Sequence, residues 1–143
     1  MMALSTKERY AARIMVYLAI RQGTGPVTKY QIAEAEALSA DYIEQIMVRL
    51  KAAGLVLSHR GRKGGFTIAR DPRVITLYNI LTAVEGPIRP VPCIDTQCKR
   101  EATCPTRPVW LKAATLLEDL FSRTTVAQMA EETKAQESIS YSI

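Results

Sequence analysis

The sequence predicts a mostly α-helical chain with a small β-hairpin wing: a winged helix-turn-helix domain followed by a long dimerisation helix. Three observations predict it. Apolar residues recur at helical spacing through most of the chain. A cationic, glycine-rich segment, RGRKGG at 60–65, separates two short stretches of strand character. Prolines at 105 and 108 then precede one long, unbroken apolar stripe.

The first helix is expected over residues 6–21, where Tyr10, Ile14, Tyr17 and Leu18 share a face and Ser5 or Thr6 is placed to cap it. GTGP at 23–26 ends it. Thr28 and Gln31 have capping-box spacing and open a shorter helix to about Glu36. Ala37, Leu38 and Ser39 turn the chain, and Ser39 can cap a third helix to about Ala53. Ile43, Ile46, Met47 and Leu50 form its inner stripe; Ala40, Asp41, Glu44, Gln45 and Arg49 form its outer face. Gly54 stops it. Two helices joined by a tight turn match a helix-turn-helix, whose second helix enters the major groove with its N-terminal residues at the bases. Ser39, Tyr42 and Gln45 are then the candidate base contacts, glutamine being suited to adenine N6 and N7. An ordinary helical hairpin has the same apolar pattern.

Residues 55–59 and 66–69 read as strands of a hairpin wing. Its tip carries Arg60, Arg62 and Lys63, and a tip arginine suits a narrow, electronegative minor groove. The glycines lie between two strands rather than between a strand and a helix, which sets nucleotide-phosphate binding aside. His59, the single histidine, is expected at phosphate or solvent rather than on a metal. A helix over 76–84, with Leu77, Ile80, Leu81 and Val84 on one face, ends at Gly86 and Pro87. The long helix begins between Pro105 and Pro108, with Trp110, Ala113, Ala114, Leu117, Leu120 and Phe121 in its stripe. Val109 and Leu116 widen that stripe towards a second surface, hence a helix partner. Thr125 and Gln128 open a short helix to about Glu132, and a flexible tail is expected beyond. The expected organisation is a DNA-binding domain over 1–87, a cysteine loop over 88–107, the dimerisation and short helices over 108–132, and the tail over 133–143.

The 143 residues carry a net charge of +5 and are 48% apolar. Residues 49–73 hold seven basic residues and one acid, so the rest of the chain is slightly acidic. A localised basic stripe is what a phosphate backbone selects. No apolar run approaches the ~20 residues that span a bilayer. MMALSTKERY at the start lacks an apolar core, so the cytoplasm and no membrane partner are expected.

All three cysteines fall within twelve residues, at Cys93, Cys98 and Cys104. An odd count argues against a closed disulfide framework. Three thiols in a polar, proline-flanked loop suit a soft metal or an iron–sulfur cluster. Zinc prefers four nitrogen or sulfur ligands and finds three cysteines here. A thiol–disulfide switch at the same residues, or zinc, is the alternative. An enzyme is not expected, because no histidine or acid–base pair neighbours the cysteines in sequence.

The chain resembles the winged helix-turn-helix iron–sulfur transcriptional regulators of the IscR and NsrR type. The resemblance covers about residues 3–132. It rests on LSTKERYA at 4–11, DYIEQIMVRLKAAGLV at 41–56, SHRGRKGGF at 58–66, DPRVITLYNILTAVEGP at 71–87, the three cysteines, and a tryptophan six residues after the last of them. It implies a homodimer of crossing long helices on a pseudo-palindromic operator. It also implies a cluster on Cys93, Cys98 and Cys104, 2Fe–2S ahead of 4Fe–4S, whose state alters DNA affinity in response to redox state, iron, cluster supply or nitric oxide. Tyr42, Glu44 and Gln45 match recognition-helix positions and Arg60 the wing arginine; Thr28, Arg49, His59, Arg62 and Lys63 complete the expected DNA-facing set. Two departures accompany it. Arg107 stands where IscR-type relatives carry a ligand histidine. Glu8 is the acid nearest the position, here Arg9, from which the nitric-oxide-sensing type draws a fourth ligand from the partner subunit.

Overall fold

Six α-helices and a two-stranded antiparallel hairpin make up the fold among residues 4–141, which the computed structural model describes. Helix α1 (Thr6–Ile20) is closed at its start by a capping box. Glu8 N–H donates to the Ser5 hydroxyl, and Ser5 N–H donates to the Glu8 carboxylate at 2.6 Å. Its inner face, Ala11, Ile14, Met15 and Leu18, is the centre of the core. Helix α2 (Lys29–Glu36) opens with the Thr28–Gln31 box that the T-x-x-Q spacing predicts.

Between α2 and α3 (Ala40–Ala52) the chain turns through Ala37 in a left-handed conformation, φ 55°. Leu38 N–H donates to the Ala33 carbonyl and Ala37 N–H to that of Glu34, so the turn is hydrogen-bonded as a Schellman motif. The left-handed region costs a non-glycine residue about 1–2 kcal/mol, and glycine's extra unfolded-state freedom returns about 0.4–1 kcal/mol of that. Ala37→Gly is therefore expected to stabilise the protein by up to about 1.6 kcal/mol, read as a rise in thermal midpoint. A lower midpoint would show that the turn is not strained.

Ile43, Ile46, Met47 and Leu50 of α3 are all buried, as the helical spacing predicts. A second Schellman pair, Gly54 N–H to Lys51 and Leu55 N–H to Leu50, ends α3 and aims the chain into β1 (Val56–His59). Strand β1 pairs with β2 (Gly65–Ile68) in the register Val56–Ile68 to His59–Gly65. Val27 joins as a third short rung. It exchanges two backbone hydrogen bonds with Phe66, at 2.9 and 2.7 Å, which ties the wing to the start of α2. The fold predicted from sequence is thus observed, with strand ends shifted by one residue.

Helix α4 (Leu77–Glu85) starts with a third capping box, Thr76 with Asn79, and lies against α1 and α3. A single 3-10 turn, Pro92–Ile94, leads into the cysteine loop. Helix α5 (Arg107–Arg123) follows, with Pro108 in its first turn. Leu77 N–H to Thr124 and Val126 N–H to Ile75 then stitch the chain back to the body.

Two expectations change. Helix α6 (Val126–Tyr141) continues well past Glu132, where the sequence predicts it to stop. The segment contains no glycine or proline and is rich in alanine, glutamate and glutamine, which sustain a helix without an apolar face. The Thr133 hydroxyl donates to the Met129 carbonyl and the Ser138 hydroxyl to that of Lys134. The last part of the expected tail, residues 142 and 143, lies outside the described residues. Trp110 and Leu120, assigned by spacing to the inward stripe of α5, are both exposed, Leu120 at 57%. The inward face is Ala113, Ala114, Leu117 and Phe121, of which only Phe121 is buried.

Candidate nucleic-acid interface and cysteine loop

Helix α3 presents its first turns to solvent beside the wing. Glu44, Gln45 and Arg49 are exposed, and the hydroxyl of Ser39 accepts from Tyr42 N–H as the N-cap. Tyr42 is half-buried, its ring edge-on to Tyr10 at 6.3 Å between centroids. The Glu44 carboxylate pairs with Lys29 at 2.8 Å across the helix-turn-helix. This bond raises the Lys29 pKa, so the lysine stays charged. Thr28 is occupied as the α2 cap. Arg49 does not project freely. Its guanidinium donates to the Val84 carbonyl at 2.9 Å, joining the last turn of α3 to the last turn of α4.

Arg60, Arg62 and Lys63 at the wing tip are exposed, and among the described residues no ion pair takes them up. His59 Nε2 lies 2.8 Å from the Thr67 hydroxyl across the hairpin, so its ring is held on the wing's flank, away from the cysteines in sequence. The structure therefore brings the exposed part of α3, Lys29 and the cationic tip onto the helix-turn-helix and wing.

The cysteine loop is a run of turns rather than a closed cage. Cys98 O accepts from Glu101 N–H, and Arg100 O from Thr103 N–H. Cys93, Cys98 and Cys104 are half-buried and unpaired by disulfide. Among the described residues, no three His, Cys, Asp or Glu side chains gather where they could hold a metal ion. The Cys104 sulfur lies 3.4 Å from the Thr106 hydroxyl. That hydrogen bond, then the backbone N–H groups of Thr106 and Arg107, lower the Cys104 pKa below the usual thiol value, with the Arg107 charge adding to it. Arg89 pairs with Asp95 at 2.6 Å and braces the entry to the loop. Arg107 donates to the Cys93 and Ile94 carbonyls and pairs with Glu101. Glu8, the candidate fourth ligand, is buried and engaged in the α1 cap; it lines a cleft of about 450 Å³ with Pro87, Ile88, Arg89, Leu117 and Phe121.

Comparison with known proteins then decides the lineage. The family model described as "Rrf2: Iron-dependent Transcriptional regulator" matches residues 4–132. The chain belongs to the Rrf2 family. This Rrf2 chain is 35% identical over 138 residues to the HTH-type transcriptional regulator CymR of Bacillus subtilis, covering 95% of both chains. It is 31% identical over 129 residues to the HTH-type transcriptional regulator IscR of Sodalis glossinidius, covering 90% of this chain and 78% of that one. The solved structure of B. subtilis CymR, described as the global cysteine regulator of that organism, superposes with a TM-score of 0.77 at 35% identity, covering 92% of this chain and 98% of that one. The structure of T. potens IscR superposes at 0.78 and 35% identity, covering 94% and 90%. With such relatives, the Rrf2 chain is a DNA-binding transcriptional regulator and not an enzyme. No described helix is long and apolar enough to cross a membrane.

Sequence reasoning missed two parts of this arrangement. Lys29 pairs with Glu44, fifteen residues away, and no periodic pattern signals that pair. Val27 fastens the wing through backbone bonds alone, which its side chain does not announce.

Proposed function

We propose that this regulator works as a homodimer on a pseudo-palindromic operator and that the state of Cys93, Cys98 and Cys104 sets its affinity for DNA. One observation carries the reading: the three thiols share a loop between α4, which packs on the recognition helix α3, and α5, whose outer face is apolar. Residues 1–87 then serve as the DNA-binding unit, 88–107 as the sensing loop and α5 as the dimerisation helix, in a cytoplasmic protein. Changing the loop shifts α5 against α4, and with it the separation of the two recognition helices; ~1–3 kcal/mol of coupling is enough to regulate.

The occupant we favour is an iron–sulfur cluster, 2Fe–2S ahead of 4Fe–4S. The donor type fits, since thiolates hold such clusters, but the number is one short of the usual four. The thiols do not converge among the described residues, so loading requires the loop to be redrawn. Cys93, Cys98 and Cys104 would hold the group, with Glu8 as the candidate for the fourth position. A bound cluster supplies a centre sensitive to redox state, iron supply or nitric oxide. The test is a visible spectrum of protein purified without oxygen, with iron and sulfide counted per chain. Near-equal iron and sulfide with visible absorption are expected; a colourless, iron-free protein after anaerobic reconstitution would leave the thiols as the sensor. That second reading, a thiol switch, is favoured by the Thr106 hydrogen bond at the Cys104 sulfur, which lowers the pKa of that thiol and so favours its thiolate.

At the DNA, Arg60→Ala is expected to weaken operator binding by about 1–3 kcal/mol. Arg49→Ala is expected to leave the slope of log affinity against log salt unchanged, because its guanidinium is held by Val84. Loss of a phosphate contact lowers that slope by about 1, and such a drop in Arg49→Ala would put this arginine on the backbone instead.

A further inference from the structure

Arg107 binds both ends of the cysteine loop at once. It is the first residue of α5, and its side chain is 18% exposed. Nη1 donates to the Cys93 carbonyl at 3.0 Å and Nη2 to the Ile94 carbonyl at 3.4 Å. Nη2 also lies 3.1 Å from the Glu101 carboxylate, in the middle of the loop. Those two carbonyls lie at the end of the 3-10 turn Pro92–Ile94, where C=O groups without a partner inside the turn need one from outside. The guanidinium fork suits this task, since it offers several donors in fixed geometry and stays charged. Cys93 is thereby fixed through its backbone, while Cys104 is fixed through its sulfur to Thr106.

We propose that Arg107 is a positioning residue that staples the cysteine loop in an arrangement where the three thiols do not share a metal, so that metal enters only as the staple opens. The proposal rests on the reading of these thiols as the sensing site. Its logic is conformational. Cys93, Cys98 and Cys104 do not gather around one site among the described residues, and any rearrangement that carries the Cys93 backbone with its thiol breaks the charge-assisted bonds to Arg107. Those bonds hold the closed loop; removing them leaves the open loop nearer in free energy and raises its metal affinity. An arginine that merely supported the fold would do the reverse, because its loss would weaken every site on the loop.

The test is anaerobic titration of the reduced full-length protein with Co(II) alone, followed by the thiolate-to-cobalt charge-transfer band. Arg107→Met keeps the side-chain bulk and removes the donors and charge. It is expected to bind Co(II) ~10-fold or more tightly than the parent, the factor that one lost charged hydrogen bond represents. Arg107→Lys, with charge and single-point donation, is expected to fall between and serves if the methionine variant does not fold. Limited trypsin cleavage after Lys99 and Arg100 is expected to speed up in Arg107→Met while the thermal midpoint of the body holds. Equal or weaker Co(II) binding by a folded variant, with unchanged cleavage, overturns the staple. Absence of a thiolate–cobalt band in every protein would remove metal binding from the proposed function; faster cleavage of the variant would still uphold the staple itself.

Discussion

Leu116→Glu is expected to give a folded monomer, with dimerisation weakened at least ~100-fold and operator binding weakened with it. Leu116 is 69% exposed in the single chain, so a glutamate there removes no core contact. Val109 and Leu120, at 56% and 57%, continue the same outward strip along α5, with Trp110 and Leu111 flanking its start. A contiguous apolar strip of this kind on one helix marks an association surface rather than a solvated face. If two copies pack there about a two-fold axis, each substitution is counted twice. Burying one leucine side chain contributes about 1.5–3 kcal/mol, so two contribute ~3–6 kcal/mol, before the cost of desolvating two carboxylates. At 1.4 kcal/mol per tenfold, that is at least a hundredfold in the dimerisation constant. Sedimentation velocity reads the assembly, and circular dichroism with a thermal scan reads the fold. A variant that stays dimeric at micromolar concentration would show that the two-fold contact lies elsewhere.

The position of α5 explains why that face is open. The helix gives only Phe121 to the buried core, whereas α1 gives Ala11, Ile14, Met15 and Leu18. It is held to the body at its ends, by the cysteine loop at the start and by the backbone bonds around Thr124 and Val126 at the finish. The Arg49–Val84 bond links α3 to the end of α4 just before Gly86 and Pro87 lead the chain towards the cysteines.

How legible this was depends on what kind of interaction each feature uses. The helices up to α4 are legible because burial on one face repeats: Ile43, Ile46, Met47 and Leu50 are all buried where their spacing puts them. The T-x-x-Q boxes at Thr28 and Thr125 were readable because local hydrogen bonds span a fixed three residues. The same local logic applies at Ser5 and Glu8, where the cap uses the Glu8 carboxylate. Leu120 was misassigned because α5 has two apolar faces and spacing does not say which one turns inward. The end of α6 was missed because a polar helix carries no burial signal, so composition alone looked like a tail. Side chain to backbone bonds across long separations, such as Arg49 to Val84 and Arg107 to Cys93, leave no periodic trace at all.

The wing supplies the largest expected loss of stability. Gly65→Ala is expected to destabilise the protein by ~2–5 kcal/mol, while Gly61→Ala, at the tip of the same hairpin, is expected to cost only about 1–2 kcal/mol. Both glycines have positive φ, +144° and +102°, so each substitution meets backbone strain. They differ in what a Cβ would touch. At Gly61 nothing lies within 4 Å. At Gly65 the Cβ would sit 2.4 Å from the Val27 carbonyl oxygen, 2.6 Å from its carbon and 2.9 Å from Thr28 N. Those are backbone atoms and cannot rotate aside. Making room means separating Val27 from Phe66, the rung that ties the wing to α2, and displacing Thr28, which caps that helix. For a chain of this length, 2–5 kcal/mol corresponds to a fall in thermal midpoint of roughly 6–20 °C. The comparison of the two variants is decisive because the glycine is removed in both. Equal midpoints would mean that only conformational freedom matters in the wing. A much lower midpoint for Gly65→Ala, with DNA affinity falling alongside, would mean that the close approach of β2 to Val27 is what holds the cationic tip in place beside the recognition helix.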